Sequence, residues 1–229
     1  MLEKIRMWPY FAILVVLLLL VWVLTYGQKS VGRGFTSITG AWDPPVVINS
    51  VLTKDECKYI IQKADLLFTR STVVGTEGAD PSRTSETAWI SKNDPVAKKV
   101  FQKASELTGK PFDCCEDLQV VRYKPGTFYR AHHDSCCDDT QACVDFENRG
   151  GQRVATLLVY LNDEFTDGET HFPDHGDLKM KAEPGSAIFF RPMGTDEAKC
   201  HPKALHAGLP ISSGTKYVCN AWIRESKFV

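Results

Sequence analysis

His132 and Asp134 stand two apart in Tyr129-Arg130-Ala131-His132-His133-Asp134, at the end of a run that begins at Leu118. The run reads as strand, with Leu118, Val120 and Arg122 on one face and Gln119, Val121 and Tyr123 on the other. Lys124-Pro125-Gly126 breaks it, and Phe128-Tyr129 resumes it. Residues two apart on an extended chain project to the same side. His132 and Asp134 can therefore reach one metal ion together, while His133 faces away. An imidazole and a carboxylate, joined by a second imidazole, make the facial triad that holds non-haem Fe(II) and leaves positions open. Of the six histidines (132, 133, 171, 175, 201 and 206), His206 is the best third ligand. It opens an extended segment that ends at Ser212-Ser213-Gly214, and a hairpin there would return the chain as Lys216–Trp222. That hairpin puts Lys216 beside Pro210, roughly four residues or about 13 Å from His206 at about 3.3 Å per residue. The gap suits a small dianion with one end on the metal and the other on an ammonium ion. A 2-oxo acid would fill two open positions and O2 the last. Each residue also has a plain reading, Lys216 as a solvated strand lysine and His206 as a satisfied histidine, and His171 and His175 compete as ligands.

Strands must carry such a set, and they are readable at Leu118–Tyr123, Val154–Leu161, Thr170–Phe172, Ala187–Phe190 and Tyr217–Ile223. Asn162-Asp163, Asp167-Gly168, Pro184-Gly185 and Ser212-Ser213-Gly214 between them are turn chemistry. Many short strands so punctuated argue for a sandwich or barrel. Ahead of them, Pro44 to Ile48 reads as a short strand. Thr53-Lys54-Asp55-Glu56 is a capping box, followed at helical spacing by Cys57, Ile60, Ile61, Ala64, Leu67 and Phe68. A second helix starts at Asp94-Pro95, buries Val96, Val100, Phe101, Ala104 and Leu107, and stops at Gly109. Gly75 to Trp89 is polar and without period, and Ser82-Arg83-Thr84-Ser85 with Trp89 reads as a loop that closes over something.

The 229 residues, 43% of them hydrophobic, can bury one substantial core but hardly two. A net charge of -1 gives no case for nucleic acid, which calls for a basic excess. No charged residue lies between Arg6 and Lys29, and Trp8 to Tyr26 matches the about 20 helical residues that cross a bilayer. Trp8, Tyr10, Trp22 and Tyr26 sit near its ends as interfacial aromatics do. A cleaved signal peptide is the competitor, disfavoured by the long apolar segment and the poor cleavage site. Basic residues flank the span equally, so only the N-terminal amine tips the tail toward the cytosol. The expected organisation is a tail and signal anchor at 1–27, a Gly/Ser/Thr-rich stalk at 28–41 and one catalytic domain at 42–229. Eight cysteines suit an oxidising lumen, the endoplasmic reticulum or Golgi for a type II protein. Cys136, Cys137 and Cys143 flank an acidic loop, and a disulfide pinning that loop is favoured over zinc because no CxxC spacing occurs. Connectivity is not readable from sequence.

Several motifs in one order carry a family resemblance: Tyr129-x-x-His132-x-Asp134, then Gly168-Glu169-Thr170-x-Phe172-Pro173, then His206-Ala207-x-x-Pro210-x-x-x-Gly214-x-Lys216. With Tyr123-Lys124-Pro125-Gly126, Arg153-Val154-Ala155-Thr156-Leu157 and Asn220-Ala221-Trp222, the stretch from about Val46 to Glu225 resembles the 2-oxoglutarate/Fe(II) dioxygenases. Within them it resembles the prolyl 4-hydroxylases, of the short single-domain kind found in plants, algae and large DNA viruses. The resemblance implies a mainly β fold with flanking helices, a double-stranded β-helix or jelly-roll core. It implies His132, Asp134 and His206 as iron ligands, and Lys216 on the distal carboxylate of 2-oxoglutarate with Tyr123 and Thr170 beside it. Tyr129, Arg153 and Trp222 would line the groove for a proline-containing peptide, with the Ser82–Trp89 loop folded over it and L-ascorbate rescuing oxidised iron. Asp167 stands where the family signature has a first glycine, and the acidic insertion after Cys136-Cys137 is expected to reshape the groove rim. Asp134 favours hydroxylation, because halogenating relatives replace this carboxylate with a small residue. The competing readings are hydroxylation of another residue such as lysine, and a catalytically inactive membrane-tethered peptide-binding module.

Overall fold

The structure, a computed structural model, describes residues 41–73, 80–194 and 200–229. The expected anchor and all of the expected stalk except Ala41 lie outside them. Among the described residues no helix is long and apolar enough to cross a membrane.

Two helices form where local chemistry dictates. In α1 (Lys54–Asp65) the Thr53 hydroxyl accepts from the Glu56 N–H at 3.2 Å, while the Thr53 N–H donates to the Glu56 carboxylate at 2.8 Å. In α2 (Pro95–Thr108) the Asp94 carboxylate accepts from the N–H groups of Val96 and Ala97, and Gly109 at φ +70° ends the helix. Cys57, Ile60 and Ala64 of α1 and Ala97, Val100, Phe101 and Ala104 of α2 share one core with Leu118, Val120, Leu157, Val159, Ala221 and Ile223. Each fully buried Val, Leu, Ile or Phe there contributes about 1.5–3 kcal/mol. The helices are the backing of a sheet. A third, short helix, α3 (Gln141–Glu147), lies in the acidic insertion.

The strands are β1 (Val46–Ile48), β2 (Thr69–Arg70), β3 (Glu86–Ile90), β4 (Leu118–Tyr123), β5 (Tyr129–His132), β6 (Arg153–Tyr160), β7 (Phe165–Asp167), β8 (Thr170–Phe172), β9 (Leu178–Met180), β10 (Ala187–Phe190), β11 (His206–Gly208), β12 (Ile211–Gly214) and β13 (Lys216–Arg224). A large antiparallel sheet runs β1-β10-β6-β13-β4-β3-β2, a smaller one runs β5-β11-β8-β9, and β12 pairs with β7. Because side chains alternate, β4 sends Leu118 and Val120 to the helices and Val121 and Tyr123 to the other side. There they meet Phe165, Phe172 and Ile211 of the smaller sheets in a second core. The result is mainly β, the large sheet closed face to face against the two smaller ones in a jelly roll.

Two expectations change. Ser212-Ser213-Gly214 does not turn a hairpin: β12 pairs with β7, whereas β13 leaves for the large sheet and sets Lys216 opposite Tyr123. The reason lies at Gly214, whose φ of +80° and tight approach to the Glu164 backbone carry the chain across from one sheet to the other. Nor is Ser82–Trp89 a free loop. Glu86–Ile90 is β3, paired along β4, with Ala88 and Ile90 buried on the helix side. Arg83 and Ser85 are buried too, and Arg83 bridges to Tyr129. The Ala88–Ile90 alternation specifies a strand that the polar residues around it conceal.

Candidate active site

Pairing of β11 with β5 sets His206 opposite His132, their rings 4.3 Å apart. Asp134 lies just past the end of β5. Donor atoms of His132, Asp134 and His206 all lie within 4.8 Å of one another. The Nδ1 of His132 is 2.8 Å from the Arg130 carbonyl and that of His206 is 3.0 Å from the Ala204 carbonyl. A carbonyl only accepts, so Nδ1 carries a proton in both rings and Nε2 is the atom left to face a metal. Those two Nε2 atoms face the Asp134 carboxylate at 3.7 and 3.8 Å, too far for hydrogen bonds. Three donor side chains, Asp134 and His206 buried and His132 partly so, thus converge without a hydrogen bond among them, the arrangement a cation completes. Burial opposes ionisation of Asp134, but His206, His132, Arg153 and the Thr156 hydroxyl outweigh it and hold the carboxyl below its usual range. Burial and the neighbouring His206 keep His132 neutral.

The large sheet aims Asp134. Thr156 on β6 and Trp222 on β13 are register partners on one face. The Thr156 hydroxyl donates to Asp134 Oδ2 at 2.6 Å and the Trp222 indole N–H donates to the same oxygen at 3.0 Å. Oδ1 receives neither. Arg153 donates to the Asp134 backbone carbonyl at 3.2 Å, lies 3.5 Å from the Trp222 ring centroid, and is itself held by Glu116 at 2.7 and 2.9 Å. Arg153 and Trp222 therefore brace the carboxylate as well as lining a cavity. Thr156 and Glu116 escaped the sequence reading. A hydroxyl inside the apolar run Val154–Tyr160 was a usable signal for Thr156; nothing marked Glu116.

A narrow cavity is lined both by His132, Asp134 and His206 and by Lys216, Tyr123 and Thr170. Lys216 is 1% exposed. Its ammonium donates to the Gly168 carbonyl at 2.7 Å and lies 5.1 and 4.9 Å from the Tyr123 and Tyr160 rings. Tyr160, also missed from sequence, shares a 2.8 Å hydrogen bond with Thr170. Burial pulls the Lys216 ammonium down to about 7, a cost that an anion at its head would repay. Gly168, at φ +75°, packs against Ile211, and a side chain there would run into Ile211 and come up against the Lys216 stem, in the turn whose carbonyl holds the ammonium. Gly208 is fitted to the Tyr123 hydroxyl in the same way.

A second, open cavity of about 590 Å³ begins at Asp134. Tyr129, Arg153 and Trp222 line it, with Trp89, Phe146 and Phe228 farther out. Tyr129 stacks on His132 at 3.5 Å and receives Arg83 at 4.4 Å on its ring. Trp89, 48% exposed, stands 6.1 Å from Trp222. The Cys136–Cys143 disulfide pins the insertion that supplies Phe146, as one bridge was expected to. The Cys137–Cys200 bridge was not foreseen, and Cys57, Cys114, Cys115 and Cys219 are free and buried. His171 pairs with Asp177 at 2.6 Å and His175 packs on Trp42, so neither joins the triad.

Residues 118–224, which hold every one of these donors, match the family model of the 2OG-Fe(II) oxygenase superfamily. A protein of Acanthamoeba polyphaga mimivirus that carries the prolyl 4-hydroxylase name is 44% identical over 195 residues, covering 85% of this chain and 79% of its own. Prolyl 4-hydroxylase 1 of Arabidopsis thaliana is 31% identical over 205 residues, 81% of this chain and 70% of its own. The crystal structure of the viral collagen prolyl hydroxylase of Paramecium Bursaria Chlorella virus-1, a 2OG complex, superposes with a TM-score of 0.62 at 33% identity, over 79% of this chain and 96% of that one. Motif order, sheet topology and likeness over most of the length agree, and the chain belongs to the prolyl 4-hydroxylase family of 2-oxoglutarate/Fe(II) dioxygenases.

Proposed function

We propose that the protein hydroxylates C4 of proline in Pro-rich or collagen-like peptides, consuming O2 and 2-oxoglutarate and releasing succinate and CO2. The observation that carries the reading is the single cavity shared by the His132–Asp134–His206 cluster and the buried Lys216. Those three side chains would hold Fe(II), which would supply the one-electron oxidation chemistry, with L-ascorbate as its reductant. The protein's own part is positioning. Thr156 and Trp222 take one oxygen of Asp134 and leave the other for the metal. Lys216 neutralises the distal carboxylate of 2-oxoglutarate, with Tyr123 and Thr170 shaping the pocket and excluding water. The prolyl segment lies along Tyr129, Arg153, Trp222 and Trp89, aromatic faces that suit the pre-ordered polyproline II form. Mass spectrometry of a peptide panel incubated with the full chain, Fe(II), 2-oxoglutarate and ascorbate tests the reading. Gain of one oxygen on prolines of Pro-rich peptides is expected; turnover of lysine peptides alone would move the assignment to a lysyl hydroxylase.

The charge-free segment from Trp8 to Tyr26 supports a signal anchor, with the domain after residue 41 luminal in the endoplasmic reticulum or Golgi. Protease protection of that domain in sealed microsomes is the expected result, and digestion there would reverse the orientation.

A further inference from the structure

We propose that His133, Cys137 and Cys200 form a second metal site, created when the Cys137–Cys200 disulfide is reduced and suited to a soft divalent cation such as Zn2+. A ring nitrogen of His133 and the two sulfurs lie within 4.8 Å of one another. None of these donors belongs to the triad, although His133 sits between two of its members in sequence. The two sets differ in kind: two thiolates and an imidazole favour zinc, whereas two imidazoles and a carboxylate with open positions favour Fe(II). A solvent molecule would complete a tetrahedron around the cation.

Three further features fit. His133 Nδ1 is buried and has no hydrogen-bond partner among the described residues, although buried ring nitrogens ordinarily find one. Cys137 is exposed, so a reductant can reach its sulfur, whereas Cys200 is buried. The Ser135 carbonyl lies 3.2 Å from the Cys200 sulfur and 3.5 Å from the Cys137 sulfur, an acceptor that keeps both thiols in place once the bridge is opened.

The site has a structural consequence. The bridge joins a point three residues past Asp134 to a point six residues before His206, across a separation of 63 residues. It ties together the two segments that supply the iron ligands. A cation on the same sulfurs would keep that tie in reducing surroundings, so either redox state holds the triad's halves together.

Reduction by a trialkylphosphine balances with one water: the S–S bond breaks, phosphorus is oxidised and takes the oxygen, and the sulfurs take the two hydrogens. Metal binding then releases both thiol protons and forms two metal–sulfur bonds and one metal–nitrogen bond. The test uses the full chain loaded with Fe(II) and 2-oxoglutarate without O2, so that the triad is filled, then treated with phosphine and titrated with Co2+. Thiolate-to-cobalt charge-transfer absorption is expected after reduction only, saturating at a single equivalent, displaced by Zn2+ and lost in Cys137→Ser. His133→Ala should keep sulfur absorption but bind Co2+ more weakly. A measurement on the unaltered chain accompanies it: Zn2+ should slow alkylation of Cys137 and Cys200 after reduction, read by mass spectrometry. Absence of the band in the reduced protein, an equal band in Cys137→Ser, or alkylation of Cys137 indifferent to Zn2+ would each overturn the proposal.

Discussion

A lysine head group closed off from water against a carbonyl and two aromatic rings is electrostatically costly, and Lys216 is in that position. Its ammonium is held down to about 7 by burial and by nearby Lys181, with Glu169 opposing. With the distal carboxylate of 2-oxoglutarate on Lys216, as proposed, the protonated lysine would be selected, so above about pH 7 binding would take up a proton. The apparent Kd for 2-oxoglutarate should then rise about tenfold per pH unit, until pH reaches the raised value of Lys216 in the complex. Below about pH 7 it should be flat. Anaerobic titrations across this range check the sign, and Lys216→Met should bind weakly with no such slope. A wild-type Kd that falls or stays level on the alkaline side would refute the role of Lys216. The triad makes a complementary case, because its imidazoles are oriented by backbone carbonyls rather than by other side chains. That arrangement was legible only in part from the sequence. The spacing of His132 and Asp134 puts both on one side of the chain, but no pattern shows which carbonyl holds which ring.

At the scale of elements, local signals survived and non-local ones did not. Thr53 with Glu56, and Asp94 with Pro95 and Gly109, mark helix ends through contacts within a turn, so both helices were readable. The strand Leu118–Tyr123 was readable because its alternation matches two buried faces. The course of the chain after Gly214 depends instead on which sheet accepts it, and short range could not decide that. A tight turn and a sheet-to-sheet crossover use the same residues. The disulfides fail for the same reason, since Cys137 meets Cys200 only after two sheets have closed. Gly168 shows how an element serves the site. Its φ of +75° and its contact with Ile211 let the β7–β8 turn press its carbonyl onto Lys216. Gly168→Ala should lower stability by about 1–2 kcal/mol, read as the urea midpoint, because an L side chain is strained there. It should also raise the 2-oxoglutarate requirement. An unchanged midpoint with an unchanged requirement would separate the turn from the pocket.

Across the whole molecule, the division of labour follows from two sheets with different neighbours. The large sheet is backed by helices, which makes it a rigid platform, and its inner face presents Thr156, Trp222 and Lys216. The small sheet brings His132 and His206 together on adjacent strands. Neither sheet holds a complete site, so the chemistry depends on their closure. On the proposed reading, this closure makes one compartment for a ferrous ion and a keto-diacid. It is tested most directly by adding Fe(II) and then 2-oxoglutarate to the full chain without O2 while recording visible absorption. The expected result is a metal-to-keto-acid charge-transfer band that saturates at a single equivalent of each, disappears in His132→Ala and His206→Ala, and needs more 2-oxoglutarate in Lys216→Met. A band that survives intact in His206→Ala, or iron binding that never responds to 2-oxoglutarate, would contradict it.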